Sequence, residues 1–352
     1  MHTQVIYQIT TRHILSDTRI YEKYVKSLRQ RFDCVYVGIN VPAIWEEKEF
    51  VPKKSTFGIF IFLFTRKPGI VHFHDPDFLI WGLILKFFTS HKLIYDVHED
   101  YPKDMLVKIW LPIWKRKIFS MLVSLFEFLF AKFGDGIVCA TEQIEERFKK
   151  YGCGTVTIKN YPIVNPLTKK TWENKEGCCY VGSLSKNRGI FTLLDLASNN
   201  SSITIAGTFT DIELESKVKK NSNWKNIDYW GQVSSSGRDQ IMDNSCIGLI
   251  LIKPIPTFDE ALPVKLFEYM ERGLAVLCTN LNVASKIVNE TKCGFVCEFN
   301  NINHIKKTLD EMLQNKALCE RLGRNGRNAV VEKFNWSNEF EKLVNFYEIC
   351  AG

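Results

Sequence analysis

Short apolar runs alternate with longer segments of helical periodicity along the chain, and this alternation predicts the fold. The first run, VIYQI (5–9), is followed by a helical stretch at 17–31. Ten similar runs follow, at 34–39, 69–73, 92–97, 136–140, 178–182, 203–207, 227–231, 247–252, 275–279 and 294–298. Strand, helix and strand at this spacing indicate parallel sheets covered by helices on both faces. The pattern therefore predicts an α/β protein.

The runs fall into two series, which predict two doubly wound, Rossmann-like domains facing a cleft. The stretch NYPIVNPLTKKTWENKEG (160–177) contains prolines, asparagines and many charged residues, a composition typical of linkers. We expect a first domain over 1–165 and a second over 166–334. The remaining segment, 335–352, is expected to form a helix that packs back on the first domain.

Polar residues follow many of the predicted strands directly. They are His74 and Asp75, His98 and Glu99, Thr141 and Glu142, Lys186 and Arg188, and Asp259 and Glu260. Ligands of open parallel sheets bind beyond the carboxyl ends of the strands. The sequence therefore predicts a ligand site lined by these side chains.

The stretch FDEALPVKLFEYMERGLAV (258–276) contains the most informative of these positions. Pro263 suits the first position of a helix, and Gly273 suits the position after its last turn, so we expect a helix over 263–272. Leu262 is a poor cap, which leaves the N–H groups of the first turn open. Open donors, the positive end of the helix dipole and Lys265 favour a phosphate site. The alternative is an ordinary amphipathic helix with a surface ion pair between Glu268 and Arg272.

Composition narrows the class of protein. Of 352 residues, 45% are hydrophobic and 24% are charged, as in globular proteins. The first residues lack the pattern of a signal peptide, and the 11 cysteines are an odd, scattered set, so we expect a reducing cytoplasm. Cys293 and Cys297 lack the partners that a zinc site needs. Without zinc-finger spacings or an RNA-binding strand motif, nucleic acid is not expected as a partner.

The net charge of +7 suggests an anionic partner. The apolar segment 105–130 is interrupted by Lys115, Arg116 and Lys117, and its later run of 13 residues is shorter than the roughly 20 that a span needs. Two interpretations remain open. One is a pair of helices packed on the first domain, and the other is a peripheral membrane surface with Trp110 and Trp114 at headgroup depth.

The stretch 258–276 resembles the signature of retaining glycosyltransferases of the GT-B fold, family four (glycosyl transferases group 1). Further segments resemble the same family in the same order: DTRIYEKYVKSL (17–28), VHFHDPDFLIWG (71–82), KLIYDVHEDYP (92–102), GDGIVCATEQIEERFKKYG (134–152), IKNYP (158–162) and YVGSLSKNRGIFTLLDLA (180–197). The resemblance covers nearly the whole chain. It implies transfer of a sugar from a nucleotide diphosphate sugar, UDP- or GDP-linked, to an acceptor hydroxyl.

The resemblance assigns the donor mainly to the second domain. The residues that it implies are Gly182, Lys186, Arg188, Pro263, Val264, Lys265 and Glu268, with Glu260 on the transferred sugar. Cations and open N–H groups would hold the leaving diphosphate, so neither a metal nor a cofactor is implied. Glu268 would accept hydrogen bonds from the ribose hydroxyls. The alternatives are a surface arginine at 188, a solvated face for Lys265 and an ordinary loop carboxylate at 260.

On the acceptor side, the resemblance places His98 near the reacting centre. Asp17, Arg19, His74, Asp75 and Glu99 would line the same region. The alternatives are a structural histidine at 98, loop-bracing roles for His74 and Asp75, and an ordinary helix start at Asp17 and Arg19. No general base is assigned, because same-face attack lets the departing phosphate take the acceptor proton. The implied acceptor is a glycan or lipid-linked glycan of bacterial surface polysaccharide synthesis.

Two features depart from the family pattern. Ser183 stands where many relatives carry an arginine after the glycine that follows the strand, so the clamp would rely on Lys186, Arg188 and Lys265. The loop ITTRHILSDTR lacks paired glycines.

Three other functions remain as alternatives. A nucleotide-sugar epimerase and a non-catalytic binding protein would share this fold. A metal-dependent hydrolase would use the His-x-His spacing of HFHD (72–75), but His304 is the only histidine after 98, so its further ligands are missing.

Overall fold

The structure is a computed structural model, and it describes residues 4–13, 17–39, 50–108, 111–166, 172, 175–197, 202–259 and 262–352. The chain divides into two compact units. Unit 1 comprises Met1–Asn160 and Trp336–Gly352, and unit 2 comprises Tyr161–Asn335.

Unit 1 is built on a seven-stranded sheet in the order β3-β2-β1-β4-β5-β6-β7, and every strand pair is parallel. The strands are β1 (Val5–Thr10), β2 (Asp33–Gly38), β3 (Phe50–Pro52), β4 (Ile70–Phe73), β5 (Lys92–Val97), β6 (Gly136–Cys139) and β7 (Thr155–Thr157). The helices are α1 (the π-helical Thr18–Val25 continued by Lys26–Leu28), α2 (Thr56–Phe64), α3 (Leu79–Phe88), α4 (Tyr101–Val107), α5 (Ile113–Phe133) and α6 (Glu142–Lys149).

Unit 2 contains a six-stranded parallel sheet in the order β10-β9-β8-β11-β12-β13. The strands are β8 (Cys178–Val181), β9 (Ile203–Ala206), β10 (Ile227–Tyr229), β11 (Ile247–Ile250), β12 (Ala275–Thr279) and β13 (Gly294–Cys297). The helices are α7 (Ile190–Leu196), α8 (Ile212–Lys219), α9 (Ser235–Asn244), α10 (Pro256–Asp259), α11 (Val264–Glu271), α12 (Asn282–Thr291), α13 (Ile302–Gln314) and α14 (Lys316–Glu332). The last helix, α15 (Trp336–Ala351), belongs to unit 1.

Alternating side chains of the unit 1 strands bury opposite faces of the sheet, as the two-residue period requires. Tyr7 and Ile9 of β1 pack with the inner sides of α2, α3, α5 and α6. Ile6 packs on the other face, with α1 and α15. The sheet of unit 1 is therefore covered on both sides.

All eleven strands predicted from the apolar runs are confirmed. The sequence missed β3 and β7, which have three residues each and no longer apolar run around them, whereas the equally short β10 lies within the run 227–231. The predicted helix 263–272 was one residue too long at each end. The helix spans Val264–Glu271, and Pro263 precedes it as the cap residue.

Candidate functional site

The unit 2 site lies at the switch point of the sheet, where β8 and β11 are neighbours and their connections leave in opposite directions. Gly182 follows β8 with a φ of 138°, in the region that favours glycine. A short 3-10 turn, Lys186–Arg188, comes next, and α11 follows β11 after the α10 segment.

Lys265 extends from the first turn of α11 to the end of β8. Its Nζ donates a hydrogen bond of 2.7 Å to the Tyr180 hydroxyl and lies 3.8 Å from the centroid of that ring. The Tyr180 hydroxyl donates in turn to the Ser183 carbonyl at 2.8 Å. A Cβ at position 182 would overlap Cε and Nζ of Lys265, so the glycine makes room for the ammonium group.

The surroundings of Lys265 are electropositive and poorly hydrated. Burial and, after it, the charge of the neighbouring Arg188 together lower the pKa of Lys265 to about 7, while Glu268 acts in the opposite direction. Burial raises the pKa of Tyr180 to about 12, against the charge of Arg188. Within the part of the chain that the structure describes, Lys265 has no ion pair with a carboxylate. An enclosed cation without a counter-ion favours an anionic ligand.

Glu268 lies one turn further along α11 and pairs with Arg238 of α9. Their side chains meet at 3.2 Å through Oε1 and Nη1, and both are partly exposed. Sequence reasoning missed Arg238, because no local pattern links two residues 30 positions apart. The pair engages one carboxylate oxygen, and Oε2 remains able to accept from another donor.

The start of α11 carries no side-chain cap, as the sequence predicted. The Leu266 N–H bonds to the Pro263 carbonyl at 3.0 Å. The N–H groups of Val264 and Lys265 precede it and point away from the helix body. The helix start therefore offers N–H donors on the turn that carries Lys265.

Of the remaining predicted donor residues, Arg188 neighbours Lys265, whereas Lys186 lines a separate cavity. Lys186 is exposed and lines a cavity of about 410 Å³ with Thr210, Asp211 and Lys217 among others, whereas Arg188, Lys265 and Glu268 do not line it. Arg188 is half-buried, with its guanidinium carbon 5.8 Å from the centroid of the Phe258 ring. Glu260 lies outside the described residues.

The unit 1 site centres on Asp96, a carboxylate inside β5 that sequence reasoning did not select. Arg19 of α1 donates to its Oδ1 at 3.1 Å. Its Oδ2 lies 3.2 Å from His74 Nδ1 and 3.3 Å from His98 Nε2. Burial opposes the charge of Asp96, but Arg19 and His98 hold the pKa of this carboxyl well below its ordinary value. A charged residue inside an apolar strand, KLIYDV, was the signal that could have identified it.

Gln8 and Tyr347 extend this buried network to β1 and α15. The Gln8 Oε1 lies 2.8 Å from His74 Nε2, and its Nε2 donates to the Tyr347 hydroxyl at 3.0 Å. His72 also contacts Gln8 and Tyr347. Three of the predicted positions, Arg19, His74 and His98, therefore meet in one network.

The loop after β1 is braced by Asp75. Its Oδ2 accepts from the N–H of Thr11 at 2.7 Å and from the Thr10 hydroxyl at 3.0 Å. His13, also missed from the sequence, lies 3.5 Å from the other Asp75 oxygen and 3.6 Å from Asp17. Asp17 caps α1 by accepting from Arg19 and Ile20 N–H groups. Glu99 is exposed at the end of β5.

His98 is the predicted reacting-centre residue, and its imidazole lies beside His13, with ring centroids 5.1 Å apart. Burial lowers the pKa of His98 to about 4, although Asp96 favours the charged form. The ring is therefore neutral at pH 7, which suits hydrogen bonding and positioning better than strong base catalysis.

His72, His74 and Asp96 form the one group of three or more metal-ligand side chains found among the described residues. All three are buried, and their ligand atoms lie within 4.8 Å of one another. The Asp96 charge is already balanced by Arg19 at 3.1 Å, and a guanidinium at that distance opposes a second cation. The donor set therefore fits a charge-balanced network better than a metal centre.

The contact between Lys265 and Gly182 gives a testable expectation. In Gly182→Ala the new methyl group displaces the ammonium group and the residue keeps an unfavourable φ. We expect UDP affinity to fall about tenfold, measured by calorimetry. The control is Gly231→Ala, at a positive φ of 63° with no atom near the added methyl, which strains the backbone alone. Equal losses in both variants would contradict the role given to Lys265.

Several known glycosyltransferases are similar to this chain at low sequence identity. An uncharacterized glycosyltransferase of Methanocaldococcus jannaschii is 25% identical over 191 residues, 50% of this chain and 48% of that protein, so the chain matches about half of its length. The O-antigen chain mannosyltransferase C of Escherichia coli is 21% identical over 334 residues, 87% of this chain and 85% of that protein. The UDP-Gal:alpha-D-GlcNAc-diphosphoundecaprenol alpha-1,3-galactosyltransferase of Escherichia coli is 27% identical over 93 residues, 26% of this chain and 24% of that protein.

Solved structures share the fold. A glycosyltransferase from Rickettsia africae superposes with a TM-score of 0.71 at 15% identity, covering 100% of this chain and 99% of that chain. Anabaena HepE in complex with UDP and glucose superposes with a TM-score of 0.71 at 12% identity. The match covers 97% of this chain and 98% of that chain. The chain therefore has the GT-B fold.

A family model matches a segment that covers most of unit 2. Residues 168–329 match the family model described as "Glycosyl transferases group 1". This segment is similar to that family, and it contains α11 and the Gly182 loop.

Proposed function

We propose that the protein is a retaining glycosyltransferase, which moves a sugar from a nucleotide diphosphate sugar to an acceptor hydroxyl. The observation that carries this proposal is Lys265, an enclosed ammonium group against Gly182 at the switch point of the sheet. Its chemistry suits a diphosphate leaving group, because charge-assisted hydrogen bonds stabilise the charge that develops as the glycosidic bond breaks.

The donor would be held by three groups in unit 2. Lys265 and Arg188 would bind the diphosphate, helped by the open N–H groups at the start of α11. Glu268 would accept hydrogen bonds from the ribose hydroxyls through the oxygen that Arg238 leaves open. Glu260 is proposed to contact the transferred sugar on the strength of the family resemblance alone. The Anabaena neighbour with UDP and glucose supports a UDP-sugar, and GDP remains the alternative base.

The acceptor would be bound by unit 1, with His98 as a positioning group. Its neutral imidazole would hydrogen-bond a sugar hydroxyl and orient the acceptor, while Asp96 and His74 fix the ring. No protein base is needed if the departing phosphate oxygen takes the acceptor proton, so charge and orientation supply the catalysis.

Two relatives support a lipid-linked glycan acceptor. One is named for O-antigen chain mannosyl transfer and the other for a diphosphoundecaprenol acceptor. On this basis we assign the chain to bacterial surface polysaccharide synthesis, such as capsule or O-antigen.

Peripheral membrane contact through 105–130 would bring the enzyme to such an acceptor. Among the described helices, none combines the length and the apolarity that crossing a bilayer requires. Trp114, in the first turn of α5, is more than half exposed and lies next to Lys115, Arg116 and Lys117 in the sequence. Trp110 lies outside the described residues. Exposed tryptophan with adjacent cations is typical of interfacial helices.

The test is incubation with UDP-glucose, UDP-galactose and GDP-mannose, with and without a diphospholipid-linked sugar acceptor. We expect nucleoside diphosphate release and a glycosylated product, both lost in Glu268→Ala, with the donor's anomeric configuration retained by NMR. Glu290→Ala, an exposed glutamate on α12, is the matched control. Isomerised donor without release would instead establish an epimerase, and tight binding without either reaction would establish a binding protein.

The lowered pKa of Lys265 predicts a pH dependence of donor binding. A bound diphosphate favours the protonated amine, so the pKa rises in the complex and the complex holds more protons than the free protein above pH 7. We expect uptake of about one proton on UDP binding at pH 8, and affinity that falls up to about tenfold per pH unit above 7. Calorimetry in buffers of different ionisation enthalpy measures the uptake, and Lys265→Met should abolish it. Equal uptake in that variant would rule out Lys265 as the source.

A further inference from the structure

Three helices of unit 1 carry an unusual number of exposed apolar side chains. Of the 24 large apolar residues exposed within the described part of the chain, 15 lie on α2, α3 and α5. They are Phe57, Ile61, Phe64, Ile80, Phe87, Phe88, Ile113, Trp114, Ile118, Phe119, Met121, Leu122, Leu125, Phe128 and Phe133. Exposed apolar patches of this extent mark interaction surfaces rather than ordinary solvent-facing helices.

The three helices lie side by side with their apolar residues facing the same way. Their inner side chains, such as Ile59, Leu85 and Phe130, are buried in one cluster on one face of the sheet. Aromatic contacts join neighbouring helices: Phe57 meets Trp81 at 5.3 Å, and Phe87 meets Phe133 at 5.5 Å, measured between ring centroids. The outward sides therefore form one surface, called here the α2/α3/α5 face.

The charges on this face are mainly positive, and the flanking acids Asp77 and Asp135 pair with Arg12 and Lys86. The basic residues on and flanking the helices are Lys53, Lys54, Arg66, Lys67, Lys86, Lys115, Arg116, Lys117 and Lys132. The one acid within the three helices, Glu127, is buried and paired with Arg147 at 2.6 Å. A second copy of the same face would bring cations against cations, which opposes self-association. An anionic lipid bilayer offers both hydrocarbon for the apolar residues and phosphate for the cations.

A cavity with a mainly basic lining lies beside α2 in the same unit. Its volume is about 610 Å³, and Arg29, Lys53, Arg66 and Lys67 line it with Asp33, Tyr7 and Phe62 among others. The Lys53 Nζ and the Arg66 guanidinium carbon each lie 4.5 Å from the centroid of the Phe62 ring. Cations held over an aromatic ring beside an apolar helix are placed to contact lipid phosphates at the edge of the hydrocarbon.

We propose that the whole α2/α3/α5 face lies on an anionic bilayer, with α2 and α3 inserting their outer side chains together with α5 and the basic cavity taking anionic headgroups. This surface extends well beyond 105–130, and it does not depend on the transfer reaction.

The test is sedimentation of the full chain with vesicles of phosphatidylcholine alone or with about 30% phosphatidylglycerol. We expect binding to the anionic vesicles, weakened at high salt, with a blue shift of tryptophan emission from Trp81 and Trp114. The double variant Ile61→Glu/Phe88→Glu should bind about 100-fold more weakly, because it places carboxylates where α2 and α3 meet the hydrocarbon. The control is Ile212→Glu, an exposed isoleucine on α8 in unit 2.

Three outcomes would overturn the proposal. They are full vesicle binding by the double variant, no binding by the wild-type protein at low salt, and a wild-type dimer in analytical ultracentrifugation that the double variant converts to a monomer. Circular dichroism and UDP binding establish that each variant is folded. Loss of transferase activity in solution would bear on the proposed function and leave this surface unaffected.

Discussion

Lys265→Met is expected to lower kcat/KM for sugar transfer about 100- to 1000-fold, because it removes the cation closest to the proposed leaving group. The same change should leave the melting temperature unchanged or raise it. The ammonium group is enclosed beside Arg188 with no ion-paired carboxylate among the described residues, so its charge opposes folding. Activity lost while stability is kept distinguishes a ligand-binding role from a structural one.

The matched control for this variant is Lys286→Met, on the exposed surface of α12 in the same unit. Its activity and melting temperature should both equal those of the wild-type protein. Turnover that survives in Lys265→Met, or a fall in melting temperature that accounts for the lost activity, would contradict the assignment of Lys265 to the diphosphate.

Asp96→Asn is expected to destabilise unit 1 by about 3–5 kcal/mol, because it leaves the Arg19 guanidinium buried without its counter-ion. The Tyr24 hydroxyl and the Ile158 carbonyl, at 3.4 and 3.3 Å, remain as its neutral partners. Urea unfolding followed by fluorescence measures the loss. Asp33→Asn, an exposed aspartate at the start of β2, makes the same chemical change and should have little effect.

The double variant Arg19→Met/Asp96→Asn measures how much of the stability loss comes from the interaction between the two side chains. Removing both charges together should cost less than the sum of the single changes, since neither charge is then left alone in the interior. Additive losses would show that the two side chains act independently and that the network is not organised around their ion pair.

Much of the fold follows from local patterns in the sequence. Each of the eleven predicted strands lies in a run of apolar residues, since both faces of a parallel sheet are buried, and every one is present. The strands β3 and β7 lie at the two edges of the unit 1 sheet. They form by hydrogen bonding to the neighbouring strands, and their own sequences show no strand pattern. The uncapped start of α11 could be predicted because the cap is a local feature.

The partners of the site residues could not be predicted, because tertiary contacts decide them. Glu268 was identified from the resemblance, but Arg238 comes from another helix 30 residues away. Arg19 was placed on the acceptor side by its position after the first strand, and its guanidinium is in fact buried against Asp96. The fit of Lys265 into the space above Gly182 depends on the pairing of β8 with β11, which no single segment encodes.

The account depends most on where a nucleotide diphosphate binds, and a crystal structure of the full chain with UDP tests this directly. We expect the diphosphate within hydrogen-bond distance of Lys265 Nζ beside the Gly182 backbone, and the ribose hydroxyls on Glu268. A UDP molecule bound elsewhere, with Lys265 still on Tyr180 and Glu268 still contacting only Arg238, would contradict it.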